Sequence, residues 1–229
     1  MARAATRTVR RVARPAPRKP VRRARRATYH HGDLARALVD AAVAIIDERG
    51  AEAFTLREAA RRLGVNHRAA YRHFADKDAL LAAVAEQGFR GLIDATRAQA
   101  AGITDPAARL AAAARAYVAF AAEHPAHFRV MFAPRHNEGA PRSVPSGAAP
   151  FATVDALVAE AYALLEAEVR VAMATGAFAA DPGPHPVIAL WSAMHGLASL
   201  VLMKRVDVPP GRLGTWVDRI FERSLRGLR

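Results

Sequence analysis

The chain has 229 residues, 52% of them apolar, no cysteine, and a formal net charge of +13. That length suffices for one or two domains with a buried core, and the apolar share excludes a wholly disordered chain. The lack of cysteine removes disulfide scaffolds, zinc ribbons and thiol nucleophiles, and no apolar run approaches the roughly 20 residues of a membrane span.

The charge is concentrated at the start. Residues 1–27 hold 11 of the 34 Lys/Arg and no Asp or Glu, whereas the rest holds 23 against 21, a net +2. Pro15, Pro17 and Pro20 interrupt any helix there, and little apolar surface is available to offset the entropy of ordering. Residues 1–27 therefore read as a disordered basic tail without the apolar stretch of a secretory signal. A nucleic-acid-binding arm is the leading account of it; a transit peptide, a functionless extension and a misassigned start are the alternatives.

From Asp33 onward the pattern is helical. Leu34, Leu38, Ala41, Ala42, Ile45 and Ile46 recur at helix spacing, with Asp33 as N-cap and Gly50 as the stop. Thr55-Leu-Arg-Glu58 is a capping box that opens a short helix ending near Leu63. Gly64 suits a tight turn, and Asn66 caps a third helix through about Phe74. Asp76 starts a long fourth helix carrying Leu80, Leu81, Val84, Leu92 and Ile93.

Asp105-Pro106 pairs an N-cap with a proline at the first helical position, and the helix it opens runs to about Glu123. Pro125 then starts a short segment ending near Met131–Phe132. Residues 134–150 are rich in Pro, Gly, Ser and Ala and read as a loop. A helix follows from Phe151 to Thr175, stopped by Gly176, and Pro182, Gly183, Pro184 and Pro186 predict a turn. Two last helices are expected at about 186–205 and 211–227, separated by Pro209-Pro210. No alternating strand pattern occurs. The fold class expected is all-α, with about nine helices.

Two short helices joined at Leu63-Gly64-Val65, the second polar at its start, describe a helix-turn-helix. Tyr71-Arg72-His73-Phe74 and Asp76-Lys77 then place a phenol, an imidazole and an ammonium at the end of the reading helix, groups suited to phosphate contact. The stretch from Leu56 to Leu80 resembles the DNA-binding signature of the TetR family of transcriptional regulators, and Tyr29-His30-His31-Gly32-Asp33-Leu34 resembles its lead-in. Asn66 stands where Ser is usual and Ala70 where a larger Leu is usual. Asn caps as well as Ser; the smaller Ala70 reduces the packing of the reading helix.

The resemblance implies roles. His67, Arg68 and Ala69 take the positions that meet base edges, with Arg68 suited to guanine and Ala69 to a thymine methyl. Tyr71, Arg72 and His73 take positions near phosphates or adjacent bases, and Lys77 a phosphate position. Thr55 offers a hydroxyl or a helix N-terminus to a phosphate. Asn66 holds the start of the reading helix. Phe74 reads as core, and Arg61–Arg62 as a solvated face. Residues 28–80, the DNA-binding domain, carry eight basic and eight acidic side chains, so the reader is neutral overall.

Residues 81–229 are then expected to bind a small-molecule effector and to form a homodimer through the last two helices. The helix at 186–205 is apolar almost all round, with Ser192, Gly196 and Ser199 as a strip where another helix can approach. Leu213, Trp216, Val217, Ile220, Phe221, Ser224, Leu225 and Leu228 form an apolar stripe on the last helix, with Val217 and Ile220 expected in the dimer seam. Trp191, His195 and Gly196 resemble the Trp-His-Gly signature of one C-terminal domain subgroup of the family. Candidate pocket walls are Tyr117, Phe120, Phe128, Met131, Phe132, Tyr162, Leu165 and Trp191, with His195 as a hydrogen-bonded core residue, a pocket-lining polar group or a metal ligand.

His124 and His127 lie at i, i+3 spacing, but Pro125 falls between them and no further ligand completes a metal set. No cofactor, no catalysis and no membrane are expected, and the location expected is cytoplasmic. The function implied is a ligand-responsive repressor on a double-stranded DNA operator. The alternative is an architectural protein that binds DNA without sequence preference. A small all-α enzyme stands third, because no nucleophile–base spacing or phosphate loop is present.

Overall fold

The computed structural model describes residues 31–133, 151–176 and 185–226. The basic tail, the 134–150 stretch and the Pro182–Pro184 turn lie outside the described residues. Among the described residues there are nine helices and no strand. They are α1 (His31–Arg49), α2 (Leu56–Arg62), α3 (His67–Tyr71), α4 (Lys77–Ala100) and α5 (Pro106–Glu123), then α6 (Pro125–Met131), α7 (Ala152–Ala174), α8 (Pro186–Leu202) and α9 (Leu213–Arg226).

Local caps set most of the starts. Thr55, Asn66, Asp76 and Asp105 all have extended backbones, and each side chain accepts a hydrogen bond from an N–H of the first turn. The expected capping box is only half made. Thr55 Oγ1 accepts from Glu58 N at 3.1 Å, but the Glu58 carboxylate accepts from Arg49 and Arg61. α1 begins at His31, so Asp33 falls inside its first turn rather than at its cap.

Two helix ends differ from the periodicity. α3 stops at Tyr71, not Phe74: His73 N and Phe74 N both donate to the Ala70 carbonyl, which tightens the chain into a turn. Asp76 then needs an extended backbone to cap α4. α8 stops at Leu202 because Lys204 adopts φ 53°, with Lys204 N donating to Val201 O and Arg205 N to Leu200 O. That is a left-handed C-terminal cap of the kind glycine usually supplies. No glycine marks it in the sequence.

Two apolar cores run through the chain. The first joins α1, α2 and α3 to α4 and α6, from Leu38, Ile45 and Phe54 through Leu80 and Val84 to Phe89, Leu92 and Phe128. The second lies between α5, α7, α8 and α9, around Leu110, Val118, Leu190, Val217 and Phe221. α4 passes residue 80 without a break, so the first core extends beyond the helix-turn-helix.

The last two helices pack differently from the expectation that Val217 faces a partner. Val217 is 1% exposed and Phe221 2%, both buried among residues of their own chain, and Ile220 packs against the same core. α8 buries Val187, Leu190, Met194 and Leu197 on one side. Its opposite side leaves Ile188, Ser192 and Leu200 exposed, as is Met203 just past its end. Among the described residues no helix is long and apolar enough to cross a membrane.

Candidate functional site

The helix-turn-helix is held by small residues at its crossing. Ala59, Ala60 and Ala70 are fully buried, so the reduced packing at Ala70 leaves the reading helix seated on its core. Gly64 turns the chain at φ 66°; a Cβ there would meet nothing within 4 Å, so the backbone conformation alone calls for glycine. Val65 N donates to Ala60 O at 3.0 Å and closes the turn. Asn66 Oδ1 accepts from Arg68 N at 2.9 Å and fixes the start of α3.

Four of the predicted contact residues share an open surface. His67, Arg68, Tyr71 and Arg72 are exposed, Tyr71 to 44%. The His67 and Tyr71 rings meet edge-on, 6.5 Å apart, beside Arg68. Thr55 is exposed at the start of α2. Ala69 is half-buried and packs against the core, and His73 is half-buried at the turn. Lys77 is also half-buried, its Nζ 3.5 Å from the Glu52 carbonyl across the α1–α2 connection. Phe74 packs on the first core.

Neutral overall charge does not mean a neutral reading surface. Glu48 accepts two hydrogen bonds from Arg62, at 2.6 and 2.8 Å, and Glu58 accepts from Arg49 and Arg61. The hydrogen bonds from Arg61 and Arg49 hold the Glu58 carboxyl down at about 2, and Arg62 likewise lowers Glu48. The pairing neutralises the α1–α2 seam. Arg68 and Arg72 make no ion pair with the described residues, so positive charge gathers on α3.

A cavity of about 900 Å³ lies among the helices that follow. α4 contributes Phe89, Leu92 and Ile93, α5 Leu110 and Tyr117, α6 Met131 with Phe132 just beyond it, α7 Tyr162, Leu164 and Leu165, and α8 Leu190, Trp191 and Met194. Six predicted wall residues line it: Tyr117, Met131, Phe132, Tyr162, Leu165 and Trp191. Phe120, Phe128 and His195 are not among the lining residues. Phe120 is turned to α4, where its ring stands 3.1 Å from where a Gly91 Cβ would be. Phe128 and His195 stack on one another behind Tyr117, ring centroids 5.4 Å apart.

The sequence reading missed the α4 wall and an ion pair at the rim. Leu92 and Ile93 marked helix periodicity, and an apolar face extending past the helix-turn-helix was the available signal. Arg109 pairs with Glu168 across α5 and α7 and also donates to the Ile103 carbonyl at 3.3 Å. Nothing local joins residues so far apart in sequence.

One polar cluster borders the cavity. Trp191 Nε1 donates to Tyr117 Oη at 3.2 Å, and Tyr117 Oη lies 2.8 Å from His195 Nδ1. Burial raises the Tyr117 phenol above its ordinary range, and burial lowers the His195 imidazole, so both are uncharged at neutral pH. Elsewhere, His124 and His127 lie with ring centroids 5.9 Å apart. Among the described residues no group of three His, Cys, Asp or Glu is placed to hold a metal ion.

Residues 38–84 match the family described as bacterial regulatory proteins, tetR family, and residues 110–228 match the tetracyclin repressor-like C-terminal domain. A solved protein of unknown function from Rhodococcus sp. RHA1 is 31% identical, with a TM-score of 0.67, over 88% of this chain and 96% of its own. A tetR-family regulatory protein from Rhodococcus RHA1 is 23% identical, with a TM-score of 0.64, over 85% and 96%. The fatty acid degradation regulator FadR of Bacillus halodurans shares the fold at 16% identity and a TM-score of 0.67, over 83% and 94%. No curated protein matches the chain.

Proposed function

The chain belongs to the TetR family of transcriptional regulators, and from that premise we propose that it is a dimeric repressor released from its operator by a small molecule. The observation that carries this reading is the continuity of α4. At one end Leu80 and Val84 enter the helix-turn-helix core; further along, Phe89, Leu92 and Ile93 wall the cavity. α6 provides a second link. Met131 and Phe132 face the cavity, while Arg129 lies 4.0 Å from Asp47 of α1. A ligand that fills the cavity displaces these two helices together and alters the separation of two reading helices. Each reader must meet a half-site about one DNA turn from the other, so a small change in separation costs affinity.

On the DNA, α3 enters the major groove with His67, Arg68 and Ala69 toward base edges. Tyr71 and Arg72 lie toward phosphates, with Thr55 and Lys77 at the flanking helix starts, while His73, its Nε2 buried, supports the turn behind them. The basic residues 1–27 extend this contact as an arm along the backbone or into the adjacent minor groove. The dimer forms on the open side of α8, with α9 supporting it from behind. Residues 28–80 serve as the reader and 81–229 as the effector and dimer unit.

The test is selection of bound sequences from a random DNA pool by the full chain, followed by binding to the selected site. A palindromic consensus with half-sites one turn apart is the expected result. Equal retention of all sequences overturns the repressor reading in favour of an architectural protein. Deleting residues 2–27 should leave the consensus in place while lowering the salt slope by about 0.9 for each phosphate that the arm neutralises.

A further inference from the structure

The chemistry of the cavity wall restricts what it accepts, and we infer that its ligand is an uncharged, largely apolar molecule anchored by one hydroxyl group on Tyr117. This inference rests on the reading of the cavity as the effector site. It adds the ligand's charge and its hydrogen-bond polarity.

The charge follows from the partners already present. The charged residues at the cavity are engaged within the protein. Arg97 pairs with Glu160 at 2.8 Å, Arg109 with Glu168, and Arg170 with Glu166 at 3.3 Å; Asp155 also has an interaction of its own. The rest of the wall is aliphatic and aromatic. A carboxylate carried inside would face either an unpaired apolar wall or the disruption of one of these pairs. Either is costly, because a buried charge needs its own partner.

The polarity follows from counting valences. Three hydroxyl-bearing residues line the cavity, Thr96, Tyr117 and Tyr162. Thr96 Oγ1 donates back to the Leu92 carbonyl at 2.8 Å, and Tyr162 is 39% exposed. Tyr117 is the interior one. A phenol has one hydrogen and two acceptor lone pairs. Trp191 Nε1–H, which only donates, fills one lone pair.

His195 decides the remainder. With the imidazole proton on Nε2, Tyr117 donates its hydrogen to Nδ1 and keeps one lone pair open. With the proton on Nδ1, His195 fills that lone pair and leaves the phenolic hydrogen without an acceptor. An unmet buried donor is costly, and His195 Nε2 is not among the buried atoms left without a partner, so the Nε2 tautomer dominates. The valence Tyr117 offers is therefore an acceptor, and the group it takes is a donor. An alcohol or phenol meets it directly. A ketone binds only after the His195 tautomer changes, and an anion repels the lone pair.

Calorimetry with 1-decanol, 2-decanone and decanoate on the full chain tests this. The alcohol should bind about 3- to 10-fold more tightly than the ketone, the margin of one net hydrogen bond, and decanoate most weakly. Tyr117→Phe should erase the alcohol's margin. His195→Leu frees the phenolic hydrogen and should shift preference toward the ketone, which a purely structural histidine would not do. Trp191→Phe opens a second lone pair and should preserve the alcohol preference, a check independent of the histidine. Equal affinities, a preference for decanoate, or no binding of any probe overturns the inference. The effector reading is judged separately: decanol that binds with the expected preference but leaves operator affinity unchanged overturns that reading and leaves the Tyr117 anchor standing.

Discussion

Met131 closes on Gly88 so tightly that a Cβ on the glycine would stand 2.6 Å from the methionine sulfur and 3.1 Å from the Cβ of His127. This is where α6 presses on α4, next to the cavity wall and next to the core shared with the DNA reader. The methionine side chain can move away, but His127 Cβ is held by the backbone of α6. Gly88→Ala gains up to about 1 kcal/mol of helix propensity, against about 1–3 kcal/mol for overpacking. We predict a net loss of about 1 kcal/mol in denaturant unfolding, with weaker operator binding as α6 shifts off α1. A more stable variant with unchanged DNA affinity would show that this contact transmits nothing.

Arg68 and Lys77 separate the two kinds of DNA contact. Arg68 is exposed at the start of α3, where a long donor reaches a base edge, so Arg68→Ala should cost about 1–3 kcal/mol on the operator and relax one position per half-site. Lys77 is half-buried beside the Glu52 carbonyl. Lys77→Ala should weaken operator and random DNA in similar proportion. Binding-site selection with each variant reads the difference, and an unchanged consensus for Arg68→Ala removes its base-reading role.

Much of this arrangement is legible in the chain because it is local. Thr55, Asn66, Asp76 and Asp105 cap helices whose first turns lie within three residues of them, and Gly64 marks its own turn. The end of α8 is not legible, because Lys204, a residue type that rarely takes a left-handed conformation, closes the last turn where glycine would be the usual signal. The cavity is legible in part. Phe120 and Phe128 look like Tyr117 and Phe132 in sequence; the close crossing of α5 on α4 at Gly91 turns Phe120 from the wall, and Phe128 stacks on His195. His195 stands out as a polar residue in an apolar helix, but its partner Tyr117 lies 78 residues away. The Trp191 and His195 of the signature converge on that one hydroxyl, which gives their spacing a physical reason.

The Glu58 carboxylate ties α2 to α1 through Arg49 and also accepts from Arg61 of its own helix, and its folded value near 2 lies below the ordinary 4.5. A depressed carboxylate stabilises the folded state above its unfolded value, and that contribution fades as pH falls from about 4.5 toward 2. Arg49 is half exposed and Arg61 more so, so the pair is screened and its effect is small. Glu58→Gln should lower the thermal midpoint at pH 7 and converge on the unmodified chain toward pH 2. A difference that persists at pH 2 would assign the effect to packing, not to charge.

The open side of α8 leaves apolar side chains without cover from their own chain. Ile188, Leu200 and Met203 are 39%, 44% and 66% exposed there, on either side of Ser192 and Gly196. Gly196 has an ordinary helical backbone, and a Cβ on it would meet nothing within 4 Å. Glycine at mid-helix costs about 1 kcal/mol relative to alanine, and nothing within the protomer calls for it. In the proposed dimer, a second copy whose α8 crosses closely at this point would supply the reason. Ile188→Glu places a charge in that seam while sparing the protomer's own core, so it should yield folded monomers by light scattering. Operator binding should fall with dimerisation, since one reader alone holds only part of the DNA. Val217→Glu should behave otherwise, because Val217 is enclosed by its own chain and its replacement should unfold the protomer, as seen by loss of helical circular dichroism. If Ile188→Glu and Gly196→Leu both remain dimeric at micromolar concentration, the partner sits on another face.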